Sequence, residues 1–317
     1  MAKILITGGA GFIGSHLAET LVSENHEIIV IDNLSHGKEE NLSSISDKVS
    51  LVNADLSDTK MLSSVLSGKD YVFHTAANTS VNKSLECPGW SCEQNIQNTV
   101  SLLECAVKVK IKRVIFSSSA AVYGLHASLP NKETEIVTPG SPYALEKLTC
   151  ENYLRLFSSL HDMDTVALRY FNVYGPRQYD DFPHPGGVTI VIRQVLETGK
   201  SQLMGEGKQT RDMIYVGDVV QASLLAMKSG IQFSGKVYNV CTGKSIVISE
   251  MHDKISELMG AGKEREYIPF PEGNIVDSVG DNTAIRRDMD FTVQTSLEEG
   301  LQKTIKGYMK EWKSKNS

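Results

Sequence analysis

The chain has 317 residues, of which 41% are hydrophobic and 22% charged, and it carries a formal net charge of −6. That length suits one large body with an annexed lobe, the composition is that of a globular rather than a disordered chain, and the acidic balance leaves no basic footprint for DNA or RNA. The opening "MAKILITGGAGFIG" interrupts its apolar run with glycines too early for a signal-peptide core or a bilayer span, so a cytoplasmic protein with no membrane partner is expected. The five cysteines, Cys87, Cys92, Cys105, Cys150 and Cys241, make no CxxC pair and are odd in number, which points to free thiols rather than a zinc site or a disulfide framework.

In chain order, "KILIT" (3–7), "EIIVI" (27–31), "KVSLVN" (48–53), "DYVFH" (70–74), "KRVIFSS" (112–118) and "DTVALRY" (164–170) read as strands. Between them, segments such as "GFIGSHLAETLVSE" and "NTVSLLECAVKV" repeat with helical period. Near-continuous apolar strands alternating with helices predict an α/β protein whose parallel sheet is covered on both faces. After residue 176, "QYDDFPHPGG" reads as a loop and shorter elements follow. "KVYNVC" (236–241) is expected to return to the main sheet, and a helix from about Ser296 closes the chain, its terminal lysines forming a solvated face.

The turn after the first strand is "TGGAGFIG". Gly9, Gly11 and Gly14 satisfy GxGxxG, Gly8, Gly11 and Gly14 satisfy the related GxxGxxG, and the loop runs through Phe12 and Ile13 into a helix. Glycines are needed because a side chain would keep the backbone away from a pyrophosphate, whose charge rests on the helix N-terminal amides. The second strand ends in Asp32, about twenty residues past the third glycine, where an acid accepts hydrogen bonds from an adenosine ribose. The same acid repels a 2′-phosphate, so NAD is expected over NADP, although His36 and Lys38 leave the phosphorylated cofactor open. The bland alternative is a tight turn with a solvent-facing aspartate.

"SPYALEK" sets Tyr143 and Lys147 at i, i+4 on one helix face, with Pro142 suited to an early helix position. A phenol is a poor base at neutral pH, but a lysine ammonium one turn away, a nicotinamide cation and the positive end of the helix would each favour the phenolate. Spacing alone describes two neighbours on an amphipathic helix equally well. The strand "RVIFSSSAAVYG" tips the balance, because it ends in three hydroxyls at the carboxyl end of a parallel strand, where such sheets bind ligands. Turn and helix capping are the other uses for those serines.

Together "TGGAGFIG", "HTAA", "SSSAAVYG", "SPYALEK", "LRYFNVYGPRQ" and "TRDMIYVGDVVQA", in this order, resemble the extended short-chain dehydrogenase/reductase superfamily, its NAD-dependent epimerase/dehydratase family and, within that, the UDP-glucose 4-epimerase type. The resemblance spans nearly the whole chain. It implies a Rossmann-type doubly wound parallel sheet with a smaller mixed α/β C-terminal substrate lobe. The NAD-binding part would comprise 1–176 and a return segment at about 217–243, and the nucleotide-sugar lobe about 177–216 and 244–317. Tyr143 would be the base, Lys147 its electrostatic partner and a ligand of the nicotinamide ribose, and Ser119 a hydrogen-bond partner of the sugar hydroxyl being oxidised. Cofactor contacts are expected from Gly8, Gly11, Phe12, Ile13 and Gly14, from Asp32, Asn33, Ser35 and Gly37, from Asp55 and Leu56 at the adenine, and from Ala76, Asn95 and Tyr170. Substrate contacts are expected from Asn172, Val188, Arg211, Asn274 and Ser278, Arg211 pairing with the nucleotide diphosphate.

The resemblance also separates reactions that begin alike, with hydride passing from sugar C4 to NAD and a transient 4-keto sugar. A dehydratase carries an Asp–Glu pair after its catalytic hydroxyl and a UDP-glucuronate decarboxylase a Glu in the same turn, whereas Ser119 is followed by Ala120 and Ala121. Without that acid and base the ketone is simply reduced again. A nucleotide-sugar 4-epimerase on UDP-hexoses is therefore expected, with N-acetylated or uronic sugars as further substrates and a catalytically silent NAD-binding regulator as the rival class. "PEGN" (271–274) departs from the family's R-E-G-D and puts Pro271 where an arginine clamps the diphosphate; Arg177 or Lys208 could compensate. Ser278 stands where some relatives have a tyrosine that crowds the sugar's C2 substituent. A homodimer through the helices containing Asn98 to Val107 and Tyr143 to Leu156 is expected.

Overall fold

The computed structural model describes residues 1–125, 127–178, 187–269 and 275–316. The chain opens with strand β1 (Lys3–Thr7), helix α1 (Phe12–Ser23), β2 (Glu27–Asp32), β3 (Val49–Asn53), α2 (Thr59–Leu66) and β4 (Tyr71–His74). Two short helices, α3 (Val81–Glu86) and α4 (Pro88–Cys92), precede α5 (Asn98–Lys108), β5 (Arg113–Ser119), α6 (Pro142–Leu160) and β6 (Asp164–Tyr170). There follow β7 (Asn172–Tyr174), α7 (Gly187–Thr198), β8 (Ser201–Met204), β9 (Thr210–Arg211), β10 (Met213–Tyr215) and α8 (Val216–Lys228). The chain closes with β11 (Lys236–Val240), β12 (Ile246–Val247), α9 (Ile248–Leu258), β13 (Arg265–Ile268), α10 (Thr283–Met289) and α11 (Leu297–Asn316).

All six expected strands and the return strand form one seven-stranded sheet in the order β11-β6-β5-β4-β1-β2-β3, parallel at every pairing. The sequence pattern explains its burial. Alternate residues of β1 point to opposite faces, so Ile4 and Ile6 pack with Leu17 and Leu21 of α1 and Val219 of α8. Leu5 packs on the other side with Leu62 and Leu66 of α2, Leu102 of α5 and Leu154 of α6. The doubly wound, Rossmann-type architecture follows, because the chain winds from β1 outwards to β3, crosses back, and winds from β4 to β11. The reversal between β1 and β4 opens a crevice at the carboxyl ends of those strands.

A smaller body packs α7, α9 and α11 around Val188, Val191, Ile192, Met251, Ile255, Leu301 and Ile305, beside the parallel pair β8–β13. The loop expected at 178–187 lies, apart from its two ends, outside the described residues, as do Pro271 and Asn274. The five cysteines are free thiols. Among the described residues no helix is long and apolar enough to cross a membrane.

The return of the chain to the sheet depends on one buried arginine. Arg113 opens β5, and its Nε donates to Asp164 Oδ2 at 2.6 Å. Its two other nitrogens donate to the carbonyls of Ala226, Met227, Ser229 and Ile231, and Asp164 Oδ1 in turn accepts the amides of Phe233 and Ser234. Removing one partner of a buried, hydrogen-bonded pair leaves the other uncompensated. Arg113→Met is expected to lower unfolding free energy by about 3 kcal/mol, read as a fall in the urea midpoint.

Candidate active site

The β1–α1 turn lies hard against the exit of β4. Gly8 has φ +67°, and a Cβ there would stand 2.7 Å from the backbone N and Cα of Ala76, while a Cβ on Gly14 would stand 2.3 Å from the carbonyl oxygen of Gly8. Only glycine permits both approaches. No side chain caps the amides at the start of α1 and its first turn holds no acid, so this helix end is open to an anion.

A cavity of about 590 Å³ runs along the turn. It is walled by Gly8, Gly11, Phe12, Ile13 and Gly14, then by Asp32, Asn33, Ser35 and Gly37, then by Asp55, Leu56 and Ala76, and ends at Tyr143, Lys147 and Tyr170. At its far end Asp32 Oδ2 accepts the Ala10 amide at 3.0 Å and Oδ1 the Leu34 amide at 2.9 Å. Burial, only partly offset by these amides, pushes its carboxyl above the ordinary range. A Cβ on Gly37 would come within 2.8 Å of Asp32 Oδ2, so this glycine keeps the carboxylate accessible from the cavity. Burial pushes Asp55 up, but hydrogen bonds from Ser57 and Asn33 outweigh it and hold the carboxyl low; the Asn33 amide donates to Asp55 Oδ2 at 2.7 Å. Lys38 reaches Glu311 of α11 at 3.8 Å and does not line the cavity. The lining thus offers amides and glycine space for a pyrophosphate and carboxylates for ribose hydroxyls; beside Asp32 it holds His36 and, among the described residues, no lysine or arginine for a 2′-phosphate.

One expected cofactor contact is corrected. Asn95 is 3% exposed and does not reach the cavity; its amide donates to the Asn78 carbonyl at 3.0 Å and to Glu146 Oε2 at 2.5 Å. Its neighbours Gln94 and Asn98 line the cavity instead. Glu93–Gln97 is a π-helical turn between α4 and α5, a feature common at functional sites; here Gln94 and Asn98 face the cavity and Asn95 the protein interior. Asn78, Ser117, Phe171 and Gln178 also line it. Ser117 opens "SSSAAVYG" and Phe171 and Gln178 lie in "LRYFNVYGPRQ", so the motifs held three of the four, while Asn78 directly follows "HTAA".

Tyr143 and Lys147 sit in the first turns of α6, as the sequence indicated. Ser141 caps the helix by accepting the Ala144 amide at 3.2 Å, Pro142 takes the first position, and the Tyr143 amide is satisfied by Ser84 Oγ at 3.2 Å. Burial pushes the Tyr143 phenol up to about 12, outweighing the nearby Ser119 hydroxyl, which favours ionisation. Lys147 is 4% exposed; burial pushes its ammonium down to about 8. Its Nζ donates to the Ser117 carbonyl at 2.8 Å and lies 4.7 Å from the Phe116 ring centroid and 5.9 Å from that of Tyr143. Desolvation is thus the largest influence of the protein's own groups on Tyr143, and the favouring of the phenolate expected from Lys147 and a nicotinamide cation works against it.

A second cavity, of about 420 Å³, adjoins the first, and Ser119, Tyr170 and Phe171 line both. Asn172, Arg211 and Ser278 line the second. Ala120 and Ala121, the residues after Ser119, also face it, and among the described lining residues Arg211 is the only base and Asp277 the only acid. Arg211 donates from Nη1 to the carbonyls of Thr210 and Val276 and from Nη2 to that of Ile275. Three of the five N–H donors of a guanidinium are thus engaged, leaving the Nε–Nη2 edge. Val188, expected at the substrate, is corrected: it is wholly buried in the core of the smaller body, where helical periodicity turns it inward with Val191 and Ile192. Asn274 lies outside the described residues.

A family model described as the NAD dependent epimerase/dehydratase family matches residues 4–241. The UDP-glucose 4-epimerase of Mycolicibacterium smegmatis is 37% identical over 309 residues, covering 96% of this chain and 97% of its own. The solved UDP-N-acetylglucosamine 4-epimerase from Methanobrevibacter ruminantium M1, in complex with UDP-N-acetylmuramic acid, superposes with a TM-score of 0.93 at 36% identity, covering 98% of this chain and 99% of that one. A UDP-N-acetyl-alpha-D-glucosaminuronate decarboxylase from Bacillus cytotoxicus is 33% identical over 96% of this chain and 97% of its own.

The cradle's dependence on glycine gives a direct test. Gly14→Ala is expected to weaken NAD binding by more than about tenfold, or about 1.4 kcal/mol, measured by titration calorimetry, because the new methyl displaces the Gly8 carbonyl and the turn with it.

Proposed function

The chain belongs to the NAD-dependent epimerase/dehydratase family, and from that premise we propose that it is a nucleotide-sugar 4-epimerase acting on UDP-hexoses, N-acetylated ones included. Its cofactor is NAD, which when bound supplies a reversible acceptor for the hydride of sugar C4. The observation that carries the reading is the junction of the two cavities. Ser119 lines both and favours ionisation of the Tyr143 phenol beside it, while the two following positions, facing the second cavity, are alanines.

Each residue then has a task. Ser119 orients the sugar's 4-hydroxyl towards Tyr143, which removes the proton as C4 is oxidised and returns one when it is reduced from the opposite face. Lys147 opposes the cost of the buried phenolate and holds the nicotinamide ribose. Ala120 and Ala121 supply no acid or base for loss of water, so reduction is the course left to the ketone. The second cavity holds the sugar, with Asn172 and the remaining Arg211 edge at the diphosphate. Ser278, small and at the wall, leaves room for a C2 N-acetyl group.

In this reading 1–176 with about 217–243 bind NAD, and about 177–216 with 244–317 bind the nucleotide sugar. The exposed Leu145, Leu156 and Leu160 of α6 favour a homodimer through that helix. A cytoplasmic place in galactose metabolism accords with the substrate class.

Incubation with NAD and a panel of UDP-hexoses, resolved by chromatography with mass detection, tests the proposal. A product of unchanged mass is expected, with Tyr143→Phe slower by about 10²–10⁴-fold; a product lighter by water or carbon dioxide would make the enzyme a dehydratase or decarboxylase. Ser278→Tyr is expected to suppress turnover of UDP-N-acetylglucosamine while sparing UDP-glucose, and equal rates on both would remove Ser278 from specificity.

A further inference from the structure

Asp212 stands between Arg211 and β10 and is wholly buried. It lines neither cavity, yet it is bonded to two of the segments that wall the second. A carboxyl group taken out of water needs partners on both oxygens. Oδ1 accepts the Thr242 amide at 2.8 Å and the Thr242 hydroxyl at 2.6 Å. Oδ2 accepts the Gly243 amide at 3.0 Å and the Gly280 amide at 3.2 Å. The backbone carbonyl of the same residue accepts the Asn172 amide at 3.2 Å and Asn172 Nδ2 at 2.9 Å.

These bonds act on the residues that line the second cavity. Asn172 opens β7, which pairs in parallel with β10, Met213 opposite Asn172. The Asp212 carbonyl takes one of the two protons of Asn172 Nδ2, so the amide is turned one way and keeps one proton and Oδ1 for the cavity it lines. Residues 275–281 carry Ser278 and are held from two sides. Thr210 exchanges backbone hydrogen bonds with Val276 and Ser278, and Arg211 reaches the carbonyls of Ile275 and Val276. Asn131 exchanges backbone hydrogen bonds with Val279 and Asp281, at 2.9 Å each.

Between these two holds the Gly280 amide turns inward to Asp212. A Cβ on Gly280 would stand 2.5 Å from Phe171 Cζ and 2.6 Å from Cys241 Sγ, so the segment lies hard against Phe171, which lines both cavities. Gly280 is buried, and its amide has no water to replace a lost acceptor.

We infer that Asp212 is the positioning residue of the second cavity: through one carboxyl group and one carbonyl it sets the spacing between Asn172, Arg211 and Ser278. Its effect on binding rests on the nucleotide-sugar reading of that cavity. A split between two affinities follows, because none of these hydrogen bonds reaches the glycine cradle, Asp32 or the dyad helix. A residue that only held the fold together would weaken both.

Two substitutions at the position test this in the whole protein. Asp212→Ser removes the acceptors and leaves room for water to take the freed amides, whereas Asp212→Asn keeps one of the two oxygens. Without ligand, hydrogen exchange of peptides spanning 275–282 is expected to quicken by about tenfold in Asp212→Ser, with peptides from β1 unchanged. With NAD bound, calorimetric titration with UDP is expected to show affinity weaker by about tenfold in Asp212→Ser. Asp212→Asn should fall between that variant and the parent, and NAD affinity should stay at the parent value in both.

Gly280→Ala leaves Asp212 in place and pushes the same segment off Phe171 and Cys241. It is expected to give the same split, and it carries the test if the Asp212 variants do not fold. Exchange as slow as in the parent overturns the inference, and so do equal losses of UDP and NAD affinity. If the parent binds UDP and the variants bind it as tightly, the inference alone falls. If the parent binds no UDP, the nucleotide-sugar reading falls and takes the inference with it.

Discussion

The close approach of the β1–α1 turn to the exit of β4 is the constraint from which the site is built. Without side chains at Gly8 and Gly14 the turn lies on Ala76 and on its own first helical turn, and the crevice at the reversal of strand order stays narrow enough for one wall to be glycine backbone. That position brings the open end of α1 within the same cavity as Asp32 at one end and Tyr143 at the other. The sheet supports it from both sides, its strands buried under α1 and α8 on one face and α2, α5 and α6 on the other.

Burial sets the chemistry of the dyad in two opposing directions. A phenolate and an ammonium are both disfavoured away from water, so Tyr143 is driven up and Lys147 down. Around the pair stand Ser119, the Ser117 carbonyl and the Phe116 face, each stabilising one form. In the proposed reading, a phenol reluctant to ionise alone suits a site where a cationic ring and a sugar hydroxyl arrive together.

In the second cavity the charge is sparse among the described lining residues. Arg211 gives three hydrogen bonds to the 210 and 275–276 carbonyls, so it shapes the cavity wall as well as presenting a cation. The wall beside Ser119 is alanine and glycine, with Leu125 and Leu129 beyond. In the proposed reading such a wall offers a sugar ring few charged groups that would fix a single orientation.

The sequence by itself determined the strands, because runs such as "KILIT" put Ile4 and Ile6 on one face and Leu5 on the other and have no other stable place than the middle of a parallel sheet. It determined the cradle, the acid after the second strand, and the helix that carries Tyr143 and Lys147, since each is a local pattern whose geometry follows from residue type and spacing. Which residues of distant segments meet was decided only by the tertiary structure. Asn95 and Gln94 are neighbours in sequence, and their division between interior and cavity follows from the π-helical turn and its packing on α6. Val188 was placed at the substrate by resemblance, but α7 turns it into a core of three helices. Glu146 reads as one more charge on a helix until packing buries it against Ser91 and Asn95. Periodicity and motif record what a segment favours locally; the facing of one segment onto another is fixed by how the helices close over the sheet.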